Sequence, residues 1–296
     1  MNKRRPPMLP KRKKIPVGVD GDRNFDDLAH RFKRNVYDRL KGDIRLAVLQ
    51  RDLEAHIPDS IRFLDEGGEE KEATASTGLA QGRALNILDA GGGQGQFSLS
   101  LAAQGHQITI CDISSEMLNL AKANADQLGV IDRVTFIHGS IQEHCQAHKS
   151  QYDLVLCHAV LEWVIEPQVL LQALVAASKE GGYLSLTYYN VNSIKMKNLL
   201  RTNFKKVLED DYQGFRGSLT PTFPRQPEQV NDWLLQLPLD KQCESGIRCF
   251  HDYILEPDHR MIEPEQQLEL ELRFSRQEPW RSLARYIHVL SKRSFA

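Results

Sequence analysis

Apolar positions along the chain fall into two alternating patterns, short continuous runs and helix-spaced stripes. Runs at Leu85–Ala90, Gln107–Cys111, Arg133–His138, Tyr152–His158 and Tyr183–Tyr189 have the length of buried parallel strands. Helical spacing governs Phe97–Gln104, Ser115–Leu128 (closed by Gly129) and Gln168–Ser178. Further on, the pattern predicts helices at Pro227–Leu237 and Pro264–Arg276, a sixth strand around Ile247–Leu255 and a final antiparallel strand at Tyr286–Leu290. Strand–helix alternation of this kind predicts an α/β, Rossmann-like fold with a seven-stranded, mostly parallel sheet and helices on both faces. Ahead of it, Phe25, Leu28, Ala29 and Phe32 predict one helix, and Ile44, Leu46, Ala47, Leu49 and Leu53 a second over Gly42–His56.

Three stretches break the pattern. Residues 1–20 carry seven Lys/Arg and no acid within the first 14, and removing those 14 leaves 31 basic against 39 acidic residues in a chain whose net charge is −1. A segment so basic and rich in Pro is expected to be disordered. It reads either as a solvated extension or as a loose polyanion tether. Asp65–Arg83 is polar, acidic and aperiodic, and is expected to be a flexible insertion. Val191–Pro227 interleaves Lys195, Lys197, Arg201, Lys205, Lys206 and Arg216 with Phe204, Tyr212 and Phe215. That mixture either grips phosphates and stacks bases or forms a solvated amphipathic helix. The organisation expected is a tail (1–20) and one domain (21–296) with a helical lid (21–60), the 65–83 insertion and a substrate-side insertion (191–227). No apolar run is long enough to span a bilayer. Five cysteines without a C-x-x-C pair read as reduced thiols of a cytoplasmic protein, and no metal site is expected.

The candidate chemistry is concentrated in Ala84–Asp112. A strand ending in Asp89-Ala90 meets Gly91, Gly92, Gly93 and Gly95, then a helix and a second strand tipped by Asp112. Glycines let a ligand approach the backbone, and an acid about 20 residues on can accept both hydroxyls of a ribose. A dinucleotide fingerprint needs G-x-G-x-x-G, whereas here the spacing is Gly91-x-Gly93-x-Gly95, and no G-K-[ST] follows to make a phosphate loop. Asp89 stands where a cationic ligand group can be held. A bare structural turn is the alternative. The acid followed by G-x-G-x-G, and Asp112 followed at once by the helix start Ile113-Ser114-Ser115-Glu116, resemble the class I S-adenosylmethionine methyltransferases.

A narrower resemblance covers nearly all of 22–296. Asp22–Phe32, Lys41-Gly42-x-x-Arg45, Leu88–Gly95, His158–Trp163, Tyr189-Asn190, Phe223-Pro224-Arg225-x-Pro227, Arg248-x-Phe250-His251-Asp252-Tyr253 and Arg276–His288 are similar to the bacterial tRNA 5-carboxymethoxyuridine methyltransferases. The resemblance implies methyl esterification of the carboxymethoxy group of the wobble uridine (position 34) of tRNA, with S-adenosylmethionine as donor. It implies cofactor contacts from Arg45, Gly91, Gly92, Asp112, the Ser140–Ile141 backbone and His158. A carboxylate is already anionic at neutral pH, so no base is required and the catalyst is expected to position rather than to deprotonate. Candidates to hold one carboxylate oxygen are Arg248, His251, Tyr253 and Tyr189, with Arg225, Arg285, Lys197 and Arg201 on the substrate or RNA periphery. Arg248, Asp252 and His251 read equally as a buried network bracing the late strands. A small-molecule carboxyl or O-methyltransferase, and a cofactor-binding RNA module without turnover, share the same core signals.

Overall fold

The computed structural model describes residues 21–26, 39–57, 61, 83–212 and 219–295. The basic tail, most of the first predicted helix, the 65–82 insertion, Phe215 and Arg216 lie outside the described residues. Seven strands form one sheet in the order β3-β2-β1-β4-β5-β7-β6. They are β1 (Asn86–Ala90), β2 (Gln107–Asp112), β3 (Val134–His138), β4 (Tyr152–His158), β5 (Ser178–Tyr189), β6 (Leu239–Ile247) and β7 (Tyr286–Arg293). Pairing is parallel through β5, and β7 runs antiparallel to both β5 and β6.

The sixth strand lies earlier than its sequence predicts. Ile247 is its last residue, and Arg248–Tyr253, expected to be strand, is a turn with a short 3-10 helix at His251–Tyr253. Arg248 takes a positive φ of 61°, a conformation that ends strand pairing and that L residues rarely adopt. The true strand, LDKQCESGI, is polar and largely accessible at its start. An edge strand with one wet face lacks the apolar run that marks β1 or β4.

Helices cover both faces. On one side α4 (Ile141–Ala147), α5 (Pro167–Ala177) and α8 (Pro227–Leu235) pack Cys145, Leu170, Leu174 and Val230 against Leu88, Val155, Leu186 and Val289. On the other, α1 (Arg39–His56), α2 (Ser98–Ala103) and α3 (Ser115–Gln127) pack Leu53, Leu101, Leu118 and Ala121 against Ile87, Ile110, Leu154 and Leu156. Alternate residues of β1 and β4 thus serve opposite cores, as strands buried on both faces must. In α1 the buried stripe is Leu40, Ile44, Val48, Leu49, Asp52 and Leu53. Leu46 faces the cavity described below. No helix among the described residues is long and apolar enough to cross a membrane.

Beyond β5, Asn190 caps α6 (Val191–Leu200) by accepting from the Asn192 N–H, while its amide donates to the Ser282 and Ala284 carbonyls. Beside it, the Arg225 N–H donates to Tyr189 and the Val191 N–H to Arg225. Arg225, expected at the phosphate periphery, is instead inside the fold and 9% exposed. Its Nε and one terminal nitrogen donate to the Leu161 carbonyl (3.0 and 2.7 Å), and the latter also to that of Val164 (2.8 Å). The phosphate reading fails because these carbonyls, in the turn after β4, have taken the guanidinium. Arg225→Met leaves both carbonyls unpaired and should cost about 2–4 kcal/mol in urea unfolding. Unchanged stability would overturn this structural role and return Arg225 to the protein surface.

Candidate active site

The order of the sheet reverses between β1 and β4, so the chain departs in opposite directions from their carboxyl ends and a crevice opens there. Two adjoining lobes fill it, sharing Phe25, Gly91, Asp112, Ala159 and Trp163. The first is lined by Ile113, His138, Gly139, Ser140, Ile141 and Val160. Asp22–Asp26 covers it from outside: the Arg23 N–H donates to Trp163 (3.3 Å), Phe25 meets the Trp163 ring edge-on at 4.9 Å, and Ser114 Oγ donates to Asp26 (2.6 Å). Its lining is mostly apolar.

Asp112 stands where the lobes meet. Its Oδ2 accepts from the Gly93 N–H and its Oδ1 from the Ser114 N–H, both at 2.8 Å, so both oxygens are oriented and each keeps a lone pair for a further donor. Gly91 has φ +71°, and a Cβ there would meet Val160 at 2.5 Å; one on Gly92 would meet the Asp89 carboxyl at 2.5 Å. The loop therefore approaches its neighbours so closely that only glycine fits.

The second lobe has an acidic floor and a cationic wall. The floor holds Asp89, Asp112 and Glu162, with His158 beside them. Burial pushes Asp89 up to about 6, opposed by a hydrogen bond from Ser98, with the neighbouring Asp112 adding to the rise. Burial likewise raises Asp112. Burial pushes Glu162 up to about 7 against hydrogen bonds from its own and the Tyr189 backbone N–H groups; its Oε2 is buried without a partner. Burial, then Arg45, hold His158 well below the usual imidazole range, so it is neutral.

Lys41 from α1, Lys197 from α6, and Arg248, Arg260 and Arg285 make the wall, while Arg45 from α1 stands by the floor and acts on Asp89, His158 and Glu162. Asp252 gathers part of it: Arg248 binds Asp252 Oδ2 at 2.7–2.8 Å through two nitrogens, and Arg285 lies 3.6 Å from Oδ1. These cations hold the Asp252 carboxyl far below the usual carboxylate range despite its burial. Burial, with Arg285 adding, lowers Lys197 to about 8.

The predicted residues separate accordingly. Arg45, Gly91, Gly92, Asp112, Ser140, Ile141 and His158 all line the crevice, as do Arg248, Arg285 and Lys197. His251, Tyr253 and Tyr189 stand behind the wall. His251 is 1% exposed and pairs Nδ1 with Gln267 (3.0 Å); Tyr253 donates to the Leu283 carbonyl; Tyr189 packs edge-on against Tyr286 with Arg285 over its face. Glu271, fully buried, accepts from the Cys249, Phe250 and His251 N–H groups and so holds the turn that presents Arg248. Arg201 is exposed beyond α6, outside the crevice. Tyr212 is buried, whereas Phe204 is 56% exposed beside Lys205 and Lys206. Glu162, Arg260 and Tyr286 were not singled out by sequence. Glu162 had a signal, a lone acid in the apolar turn HAVLEWV.

Residues 81–230 match a family model described as a methyltransferase domain. The tRNA 5-carboxymethoxyuridine methyltransferase of Escherichia coli is 40% identical over 272 residues, 92% of this chain and 97% of that one. The chain belongs to that methyltransferase family. Among solved structures, the magnesium protoporphyrin IX methyltransferase of Synechocystis with bound SAH aligns over 91% of this chain and 96% of that one (TM-score 0.55, 14% identity). The plantazolicin methyltransferase BamL, also with SAH, aligns over 91% and 90% (TM-score 0.52, 14% identity). Both share the fold.

Glu162 gives this methyltransferase a pH signature. Its carboxyl titrates near 7 when folded against 4.5 unfolded. The folded chain therefore holds a proton that the unfolded chain releases, a contribution complete below about pH 4.5 and lost as pH rises through about 7. The loss is on the order of 3 kcal/mol. Glu162→Gln should match wild type in melting temperature at pH 5 and exceed it at pH 8. Parallel melting curves across that range would show Glu162 to be charged in the native state.

Proposed function

We propose that this methyltransferase esterifies the carboxylate of 5-carboxymethoxyuridine at the wobble position of tRNA, taking the methyl from S-adenosylmethionine. The observation that carries this reading is the pairing of an acidic floor with a cationic wall across one crevice, in a chain 40% identical to the Escherichia coli tRNA enzyme over nearly its whole length. The floor suits a cationic donor and the wall an anionic acceptor.

The residues fit the donor. Asp112, its oxygens preset by Gly93 and Ser114, would take the ribose hydroxyls. The slot between Ile113, Ile141 and Val160 suits the adenine, with the Ser140–Ile141 backbone at its edge. The Gly91–Gly92 loop passes where a Cβ has no room, and the methionine end would lie between Arg45 on its carboxylate and Asp89 and His158 on its ammonium. The donor supplies an electrophilic methyl on a sulfonium.

The protein's part is orientation and exclusion of water. A carboxylate nucleophile and a sulfonium lose their charges as the methyl transfers, so tight double clamping of the acceptor would favour the ground state over the transition state. Asp252 tempers the wall accordingly: two Arg248 nitrogens are already committed to it, leaving Arg248 to hold one acceptor oxygen. Arg285, Lys197 and Arg260 then face the neighbouring phosphates. Arg201, Lys205 and Lys206, with exposed Phe204, extend this basic surface along α6 and α7 (Phe204–Leu208). A tRNA substrate is consistent with a cytoplasmic enzyme.

Transfer of labelled methyl from S-adenosylmethionine to tRNA lacking only this ester tests the function. Incorporation into a base-labile ester is expected; label confined to small molecules, or cofactor binding without incorporation, overturns it. Arg248→Ala should lower kcat/KM for tRNA about 10- to 100-fold with donor affinity nearly unchanged. Asp112→Ala should do the reverse, raising the donor Kd by at least about tenfold through loss of two hydrogen bonds. Wild-type turnover in the Arg248 variant would remove it from the acceptor site.

A further inference from the structure

On the α1 side of the sheet the inward positions of β5 and β7 include Ser185, Thr187 and His288, fully buried and polar where neighbouring strands are apolar. They contain a continuous hydrogen-bonded chain. His288 Nδ1 is 2.8 Å from Asp52 Oδ2, His288 Nε2 is 2.9 Å from Ser185 Oγ, and Ser185 Oγ is 2.8 Å from His158 Nε2. Asp52, Ser185 and His288 each have 0% exposure. The outer end is anchored by Arg51 and Arg276, each 2.7 Å from Asp52 Oδ1. The inner end is a residue of the crevice.

Such a chain has a direction. An ionised carboxylate only accepts, and Arg51 and Arg276 hold Asp52 ionised, well below the usual carboxylate range, despite its burial. His288 therefore carries its proton on Nδ1. Asp52 already faces two guanidinium groups, so it needs from His288 an N–H and no further charge. With Nε2 of His288 as the acceptor, Ser185 donates its one proton there, and Ser185 Oγ accepts from His158. We propose that Asp52, His288 and Ser185 are positioning residues that lock His158 as the Nε2–H tautomer, leaving Nδ1 as an acceptor for an N–H or O–H donor bound in the crevice. The group so recognised is the donor's ammonium, which rests on the methyltransferase reading above; the tautomer does not.

The test is a long-range proton–nitrogen NMR spectrum of the full-length chain labelled with [15N]histidine, with His158 assigned by its loss in His158→Gln. Wild type should show a pyrrole-type Nε2 and a pyridine-type Nδ1. In Asp52→Asn the arginines keep the amide oxygen, the NH2 turns to His288, and each bond reverses, so His158 should become Nδ1–H. The donor Kd should rise about tenfold. Should Asp52→Asn fail to fold, Ser185→Ala cuts the chain in the middle, and His158 should then show tautomer-averaged shifts while His288 keeps its wild-type pattern. Unaltered His158 shifts in a folded variant, or an Nδ1–H form in wild type, would overturn the relay. The predicted tautomer in a wild-type protein that binds no S-adenosylmethionine would overturn the cofactor reading alone.

Discussion

The constraint on which the site depends is the burial of three carboxyls, Asp89, Asp112 and Glu162, around one crevice. An anion removed from water is costly unless something charged or hydrogen-bonding replaces the water. The fold answers only in part. Asp112 is met by two backbone N–H groups and Asp89 by Ser98, while Glu162 retains an oxygen without a partner. All three are consequently held above their ordinary titration range. A fold that places acids where it cannot satisfy them is complementary to a cation with hydroxyl groups. The same electrostatic deficit favours the positively charged donor over its neutral product, which gives the crevice a means of releasing the spent cofactor.

Across the crevice the problem is inverted. Arg248, Arg285 and Lys197 converge on Asp252, a single carboxylate for three cations. Full neutralisation would leave nothing to draw in an acid carried by RNA, and no neutralisation would leave the cations repelling one another. Holding one carboxylate among them fixes their geometry and keeps a net positive field. Burial works on Lys197 in the same sense, bringing it to about 8. The positive φ of Arg248 belongs to this arrangement. Backbone strain at one residue turns its side chain from the sheet edge toward the crevice, and Glu271 holds that conformation by taking three successive N–H groups.

What the sequence made legible follows the physics of each region. The glycine loop, the strand-end acid and the turn after β4 were readable because each is a local solution: a tight turn, a ligand approach, a strand terminus. Parallel strands buried on both faces announce themselves as apolar runs. β6 did not, because an edge strand paired only to β7 is half wet. The roles of Arg225, His251 and Tyr253 were not legible for a related reason. A charged or polar side chain in a conspicuous motif looks the same whether it meets a ligand or another part of the fold, and only the positions of Leu161, Val164, Gln267 and Leu283 decide.

The polar chain from Asp52 to His158 shows the same limit more sharply. In α1, Asp52 sits four residues beyond Val48 and beside Leu53, on the stripe that faces the sheet. Taken alone it interrupts an amphipathic pattern, and the next members of its hydrogen-bonded chain, His288 and Ser185, lie 236 and 133 positions away in sequence. Ser185 and Thr187 likewise look like lapses in an otherwise apolar strand. Together they are consistent, because a buried carboxylate needs donors, a buried imidazole needs an acceptor on one side and a donor on the other, and a hydroxyl joins two rings. The catalytic consequence is that α1 contributes to the crevice twice, directly through Arg45 and Lys41 and indirectly through the orientation of His158. Any movement of that helix would alter the charge of the wall and the hydrogen-bonding character of the floor at the same time, so its packing against β6 and β7 is itself part of the site.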